Sequence, residues 1–260
     1  MQIICMLIAF LACVLGKICG MGGGVIIKPV LDALGVASVS SINFLSGCTV
    51  IGMSLWSVGK SLVRRDSQID LSLSTPLAIG AAVGGILGKA AYSAVAGMFP
   101  SPETAGGVQA SLLLAATFGT LLYTISKDRI RKLHVRNPSA CIAIGFGLGI
   151  LGSFLGIGGG PFNMAVLYFF FAMPTKTAAQ NSLYVILISQ STGLAQIILS
   201  GKIPDIIPPL LAGMVICGVL GSEIGGRLNR KLSERSTTRL FEAAMVLVMA
   251  ICVCNIIKFF

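Results

Sequence analysis

The sequence predicts an all-α integral membrane protein with about eight transmembrane helices in two homologous repeats, each opening on a glycine-broken helix. Three observations carry this. Hydrophobic residues make up 55% of the 260 and charged residues only 11%, at a mean hydropathy of +0.93. Soluble domains carry about 25% charged residues, so this chain cannot hydrate a surface of its size. Its apolar runs approach the roughly 20 residues that a bilayer span needs. One glycine-rich motif occurs twice, in register with its flanking residues. Lipid offers no water to the backbone, which leaves helices or closed barrels, and the alternation of a barrel strand is absent.

In order, apolar runs cover about 2–18, 25–34, 39–58, 71–95 and 105–125, then 140–155, 161–173, 177–200, 206–226 and 240–257. The first has no basic n-region and apolar character resumes after residue 24, which favours a membrane helix over a cleaved leader. As a helix it is about 25 Å long, nearly a bilayer, whereas 25–34 is only about 15 Å. The next three runs are ordinary spans. In the second half, 140–155 and 161–173 repeat the broken pair. Pro161 suits a first helical turn, where a missing N–H costs nothing. Three further spans follow.

The repetition is detailed. Leu15-Gly16-x-x-x-Gly20-Met21-Gly22-Gly23-Gly24 returns as Leu151-Gly152-x-x-x-Gly156-Ile157-Gly158-Gly159-Gly160. Asn43 has a counterpart in Asn181. Pro76-Leu77-x-x-Gly80 with Gly85-x-Leu87-Gly88 matches Pro209-Leu210-x-x-Gly213 with Gly218-x-Leu220-Gly221. Matches held in register over such a stretch read as a duplication: a first transmembrane repeat at 1–126, a basic linker at 127–139 and a second repeat at 140–260.

Net charge is +10, but the basic residues gather between apolar runs, at Lys60/Arg64/Arg65, Lys127–Arg136 and Arg227–Arg239. That is membrane-flanking charge, and no nucleic-acid partner is expected. Four crossings per half would put the last two clusters on opposite faces. Three effective crossings, with the glycine-broken segment re-entering, would put them together and invert the repeats. The positive-inside rule favours the inverted arrangement. Eight cysteines lie almost entirely in apolar runs without a CxxC or a His partner, so no metal site is expected and the thiols read as small hydrophobes. No nucleophile or acid–base pair at membrane depth points to an enzyme, and no cofactor is expected.

The chemistry gathers at the glycine clusters. Backbone groups freed at a break inside lipid must face a cavity, water or a ligand, and a helix starting there presents a partial positive charge. Paired broken helices of this kind build transporter sites; close GxxxG packing is the structural alternative. Gly22, Gly23, Gly24, Gly158, Gly159 and Gly160 are therefore candidate substrate-binding residues. The uncharged donors and acceptors Asn43, Ser46, Asn163, Gln180, Asn181 and Ser182 join them, and interhelical hydrogen bonding is their structural alternative. Lys28 and Lys17 are the cations placed at membrane depth, although position 164, the counterpart of Lys28, is Met. Glu223 and Arg227 stand i, i+4 and are expected to pair. Acidic residues are too few for a multi-carboxylate cation site, and neutral donors with helix N-termini suit a small anionic substrate.

These features resemble the sulfite exporter TauE/SafE family. The likeness rests on the repeated glycine cluster with its apolar half-helix, on Asn43-Phe44-Leu45-Ser46 and Gln180-Asn181-Ser182-Leu183, and on Gly88-Lys89 and Gly225-Gly226-Arg227. It covers almost the whole chain. In the first copy Asn-Phe-Leu-Ser stands where a Thr-Ser-Leu-like stretch is usual. The resemblance implies a multi-pass protein of the cell membrane, in contact with lipid, that transports small sulfur-containing anions such as sulfite, sulfonates or sulfoacetate. A secondary transporter with alternating access between the repeats is the expectation; a passive anion channel and a non-transporting membrane subunit are the alternatives.

Overall fold

The computed structural model describes residues 1–64, 67–99, 102–127, 130–201 and 203–259; Arg65 and linker positions 128–129 lie outside them. Ten helices are found among the described residues. They are α1 Gln2–Cys19, α2 Gly24–Leu34, α3 Val39–Val63, α4 Leu71–Ala96 and α5 Pro102–Ser126 in the first half, and α6 Pro138–Phe154, α7 Gly160–Phe171, α8 Thr175–Leu199, α9 Pro208–Lys231 and α10 Glu234–Phe259 in the second. Seven are long and apolar enough to cross a membrane. The eighth long element, α6, has 17 residues, while α2 and α7 have 11 and 12. The protein is an all-α multi-pass membrane protein.

Local chemistry sets the starts. Ser38, Asp70 and Asn137 cap α3, α4 and α6, accepting from the N–H groups of Ser41, Ser72 and Ser139 at 3.2, 3.0 and 3.0 Å, which satisfies donors left orphaned by each first turn. Proline opens α6 and α9, where it loses no bond.

Contacts fix the course of the chain between two ends of the bundle. Met1 and Gln2 share one end with Leu31 and Val36, Ser41 and Ile42, and Asp205–Ile207. So α1 leaves this end, α2 returns to it, and α3 and α9 start from it. Lys258 near the end of α10 donates to the carbonyls of Asp32 and Ala33 there. The linker lies at the other end, where the N–H groups of Leu133 and Val135 donate to the carbonyls of Phe169 and Phe170 at the close of α7. Hence α1–α2 is a re-entrant hairpin from the Met1 end and α6–α7 one from the linker end. Every element of the second half runs opposite to its counterpart: the repeats are inverted. Lys60 and Arg64, the described linker residues, Lys176 and Arg227–Arg239 all fall at the linker end.

The halves interlock rather than stand side by side. Helix α4 packs on α6, and its counterpart α9 packs on α1. Both seams are backbone-close. A Cβ on Gly80 or Gly84 would strike the carbonyl of Ile142 or Phe146, and one on Gly145 or Gly149 the carbonyl of Leu77 or Ala81. Across α1 and α9, Gly221 and Gly225 lie against the carbonyls of Phe10 and Val14. Where lipid is as apolar as leucine, such close approach drives helix association.

Candidate functional site

The two glycine breaks meet in the interior. Gly24, opening α2, lies beside Ser46 Oγ and the carbonyl of Ile157, while Gly160, opening α7, lies against Val25 and the carbonyl of Met21. The contacts are exchanged by the inverted symmetry, so two helix N-termini arrive at one place from opposite ends. Gly158 has φ +69°, and the amide of Gln190 fills the space its side chain would take. Only glycine satisfies both conditions there.

A narrow polar space adjoins the second break. It is lined by Lys89 of α4, Ser153 of α6, Gly158, Asn163 of α7, and Ser189 and Gln190 of α8. Asn163 is 2% exposed, and neither it nor Gln190 has a hydrogen-bond partner among the described side chains. A buried amide without a partner is unusual. Together they offer N–H donors beside an ammonium group and a helix N-terminus, a set matched to an oxyanion. The space is about 10 Å³, room for about one water.

A cleft in the other half, bordered by Lys17 and Ser222 where this one has Ser153 and Lys89, is open. At the linker end a cavity of about 370 Å³ is lined, among the described residues, by Lys17, Lys60, Lys176, Arg227, Arg230 and Glu223, and by Trp56, Gln68 and Gln180 among others. Among the described residues cations outnumber carboxylates in this lining, an arrangement that attracts anions. Glu223 pairs with Lys60 and, at 3.0 Å, with Arg227 as the i, i+4 spacing predicts. Ala179 in its lining lies against Gly20, so the first break forms the floor. A third space, about 300 Å³ at the Met1 end, is lined mostly by apolar side chains.

The lysines reveal a hidden correspondence. Gly16-Lys17 matches Gly152-Ser153, and Gly88-Lys89 matches Gly221-Ser222. Each break thus has one lysine and one serine, but the lysine sits on the broken helix in one cleft and on the glycine-rich partner in the other. Lys89 stands in the Gly88-Lys89 element of the sequence pattern but was not among the cations expected at depth.

Of the residues singled out from the sequence, Gly22–Gly24, Ser46, Gly158–Gly160 and Asn163 come together around the breaks. Gln180 lines the open cleft instead, its Oε1 accepting from Ser61 Oγ and the Gln68 N–H. Asn181 is fully buried, and all its groups are engaged: Oδ1 accepts from the Asp70 N–H and Ser74 Oγ, and Nδ2 donates to the carbonyls of Gln68 and Thr177. It ties α8 to the start of α4. Ser182 donates to the carbonyl of Gly20 at 2.6 Å and seals the end of α1. Asn43 lies toward the Met1 end of α3 and Asn181 toward the linker end of α8, so the inverted repeat keeps this pair apart; the Asn43 Oδ1 is buried without a partner. Among the described residues no group of three or more His, Cys, Asp or Glu assembles that could hold a metal ion.

Inverted repeats whose broken helices converge in a helical bundle are transporter architecture, and the sulfite exporter TauE/SafE family matches residues 5–252. The chain belongs to that family. As a TauE/SafE protein it is a membrane transporter with a small-molecule substrate, working in lipid. It is similar to the "Probable membrane transporter protein YunE" of Bacillus subtilis (strain 168), with 24% identity over 270 residues and 95% of each chain covered. No solved structure matches it.

Proposed function

We propose that this TauE/SafE protein is a secondary transporter of the cell membrane, and not an enzyme, that carries small sulfur-containing oxyanions of the sulfite, sulfonate or sulfoacetate type by alternating access. One observation carries the reading: two clefts, each bordered by a lysine–serine pair that the two halves exchange (Lys17 with Ser222, Lys89 with Ser153), differ in size, about 370 Å³ at the linker end against about 10 Å³ beside Asn163. Exchanging the conformations of the two halves would exchange which cleft is open. The anion enters among the basic side chains of the linker end and is held at the breaks by Gly22–Gly24, Ser46, Gly158–Gly160, Asn163, Gln190 and Lys89. The family description names sulfite, and a compact oxyanion suits backbone N–H groups, amide donors and one ammonium. The linker end, richest in Lys and Arg, faces the cytoplasm.

Purified protein in lipid vesicles is expected to give saturable flux of radiolabelled sulfite and sulfoacetate, with counterflow against a preloaded gradient. Flux linear in concentration and without counterflow would indicate a channel; no flux of either anion would overturn the reading.

A further inference from the structure

Helix α2 carries a charged pair that the anion site does not use. Lys28 is 4% exposed and donates to Gln109 Oε1 at 2.7 Å. Gln109 in turn donates from Nε2 to the carbonyl of Phe154 at 2.6 Å, the last residue of α6. The Lys28 ammonium also lies against Gly156. A cation on α2 of the first half is thus tied to the glycine break of the second half, two residues from Gly158 in the anion cavity.

Asp32 follows one turn along α2. Lys28 gives its hydrogen bond to Gln109 and not to Asp32, whose Oδ1 is buried without a partner. Asn255, 3% exposed, donates from Nδ2 to the carbonyl of Pro29 while its Oδ1 is also bare. Lys28, Asp32, Gln109 and Asn255 line one small space. Two buried oxygens without a donor are an unbalanced set, and charge inside a membrane bundle marks a working site by default. A single proton on Asp32 corrects the imbalance, turning a bare acceptor into a donor. Among the described residues, the other titratable groups in reach are Lys258 and Cys252 on α10 and Tyr92 on α4, and α5 and α6 bring Gln109 and the Phe154 carbonyl. The second repeat has Met164 and Tyr168 at the matching positions, so this set exists once.

We propose that Asp32, paired with Lys28, is a proton-binding site that couples proton movement to anion transport, an inference that rests on the transporter reading above. With Asp32 ionised, the pair is neutral overall. With Asp32 protonated, the positive charge of Lys28 stands uncompensated behind the second break and favours an anion at Gly158 and Asn163. Linkage is reciprocal, so a bound anion favours the proton equally. Proton and anion load together and leave together on the opposite face, with no bond made except O–H and no other reactant.

The test uses full-length protein in phosphatidylethanolamine/phosphatidylglycerol vesicles with radiolabelled sulfoacetate. For wild type, an imposed inward proton gradient is expected to drive accumulation, and the apparent KM is expected to fall as pH falls. Asp32→Asn is expected to keep counterflow, lose at least tenfold of the gradient-driven accumulation, and show a KM that no longer moves with pH. Infrared difference titration supplies a readout independent of flux: a protonated-carboxyl band present in wild type and absent from Asp32→Asn. Wild-type counterflow with no proton effect, with drive from a sodium gradient instead, or with accumulation intact in Asp32→Asn overturns this proposal alone. Wild type without counterflow overturns the transporter reading and this proposal with it.

Discussion

Lys89 donates from Nζ to the carbonyl oxygen of Gly193 at 2.9 Å, joining α4 to α8 where the cleft beside Asn163 is closed. At the matching place in the other half, Ser222 reaches the carbonyl of Met53. Lys89 thus joins the two helices and lines the space beside Asn163, where we propose that the anion binds. Replacing it with Met is expected to weaken anion affinity about ten- to a hundredfold, since a hydrogen bond to a charged group contributes about 1.5–3 kcal/mol and each 1.4 kcal/mol is about tenfold. The concentration dependence of sulfite flux measures this; an unchanged half-saturation value removes Lys89 from the site.

Two asparagines make opposite predictions. Asn163→Leu removes an amide without a partner, so thermal stability in detergent should hold while anion affinity drops by about tenfold, the loss of one donor. Asn181→Leu strips the Asp70 N–H, Ser74 and the Gln68 carbonyl of their partner at once. It should lower the unfolding temperature, with a cost of about 1–3 kcal/mol for each group left buried and unpaired, while protein that remains folded keeps its affinity. The paired measurement of melting and affinity distinguishes donor from clamp.

Glycines on α6 separate in the same way. At Gly145 a Cβ would strike the carbonyl of Leu77, whereas at Gly147 it meets open space. Gly145→Ala is expected to destabilise by about 1–3 kcal/mol, as overpacking does. Gly147→Ala should be neutral or stabilising by up to about 1 kcal/mol through helix propensity. Equal melting temperatures for the two variants would contradict the close α4–α6 seam.

The inverted course of the chain is open to chemical labelling. On a background with the eight native cysteines replaced, Leu133→Cys and Ser233→Cys, both exposed at the linker end, should react with an impermeant maleimide only in inside-out vesicles. Ala37→Cys and Ile203→Cys, exposed at the Met1 end, should react only in intact cells. Labelling of Leu133→Cys and Ser233→Cys from different sides would require parallel repeats.

Much of this architecture is legible in the sequence, because lipid imposes one rule on each segment. Long apolar runs become helices, and Gly20–Gly24 and Gly156–Gly160 cannot continue one, so the ten elements follow closely. The site is less legible. A polar residue in an apolar helix can serve a ligand or another helix, and the deciding partners are remote: Asn181 is used up by Gln68, Asp70 and Ser74, far away in sequence. The place of Lys89 is another case: it lies near the end of a long apolar run, and only the fold brings it beside Ser153, Asn163 and Gln190, where the pair Lys89/Ser153 answers Ser222/Lys17 in the other cleft. Gln190 is one of several polar residues that the apolar runs offer, and only the fold shows that its amide fills the space above Gly158.

The glycine seams between α4 and α6 and between α1 and α9 bear on how such a chain is made and how it arose. Neither half contains the surface on which its own broken helix docks, so the first 126 residues leave the ribosome with α1 lacking its partner until α9 is synthesised. Docking of α1 therefore waits for the second half of the chain. The same exchange gives an ancestor of half this length one way to bury its hairpin: by trading it with a second copy inserted upside down. In one chain the two halves are also free to differ, and Lys28 and Asp32 stand in the first half alone, where a symmetric dimer would have to carry them twice.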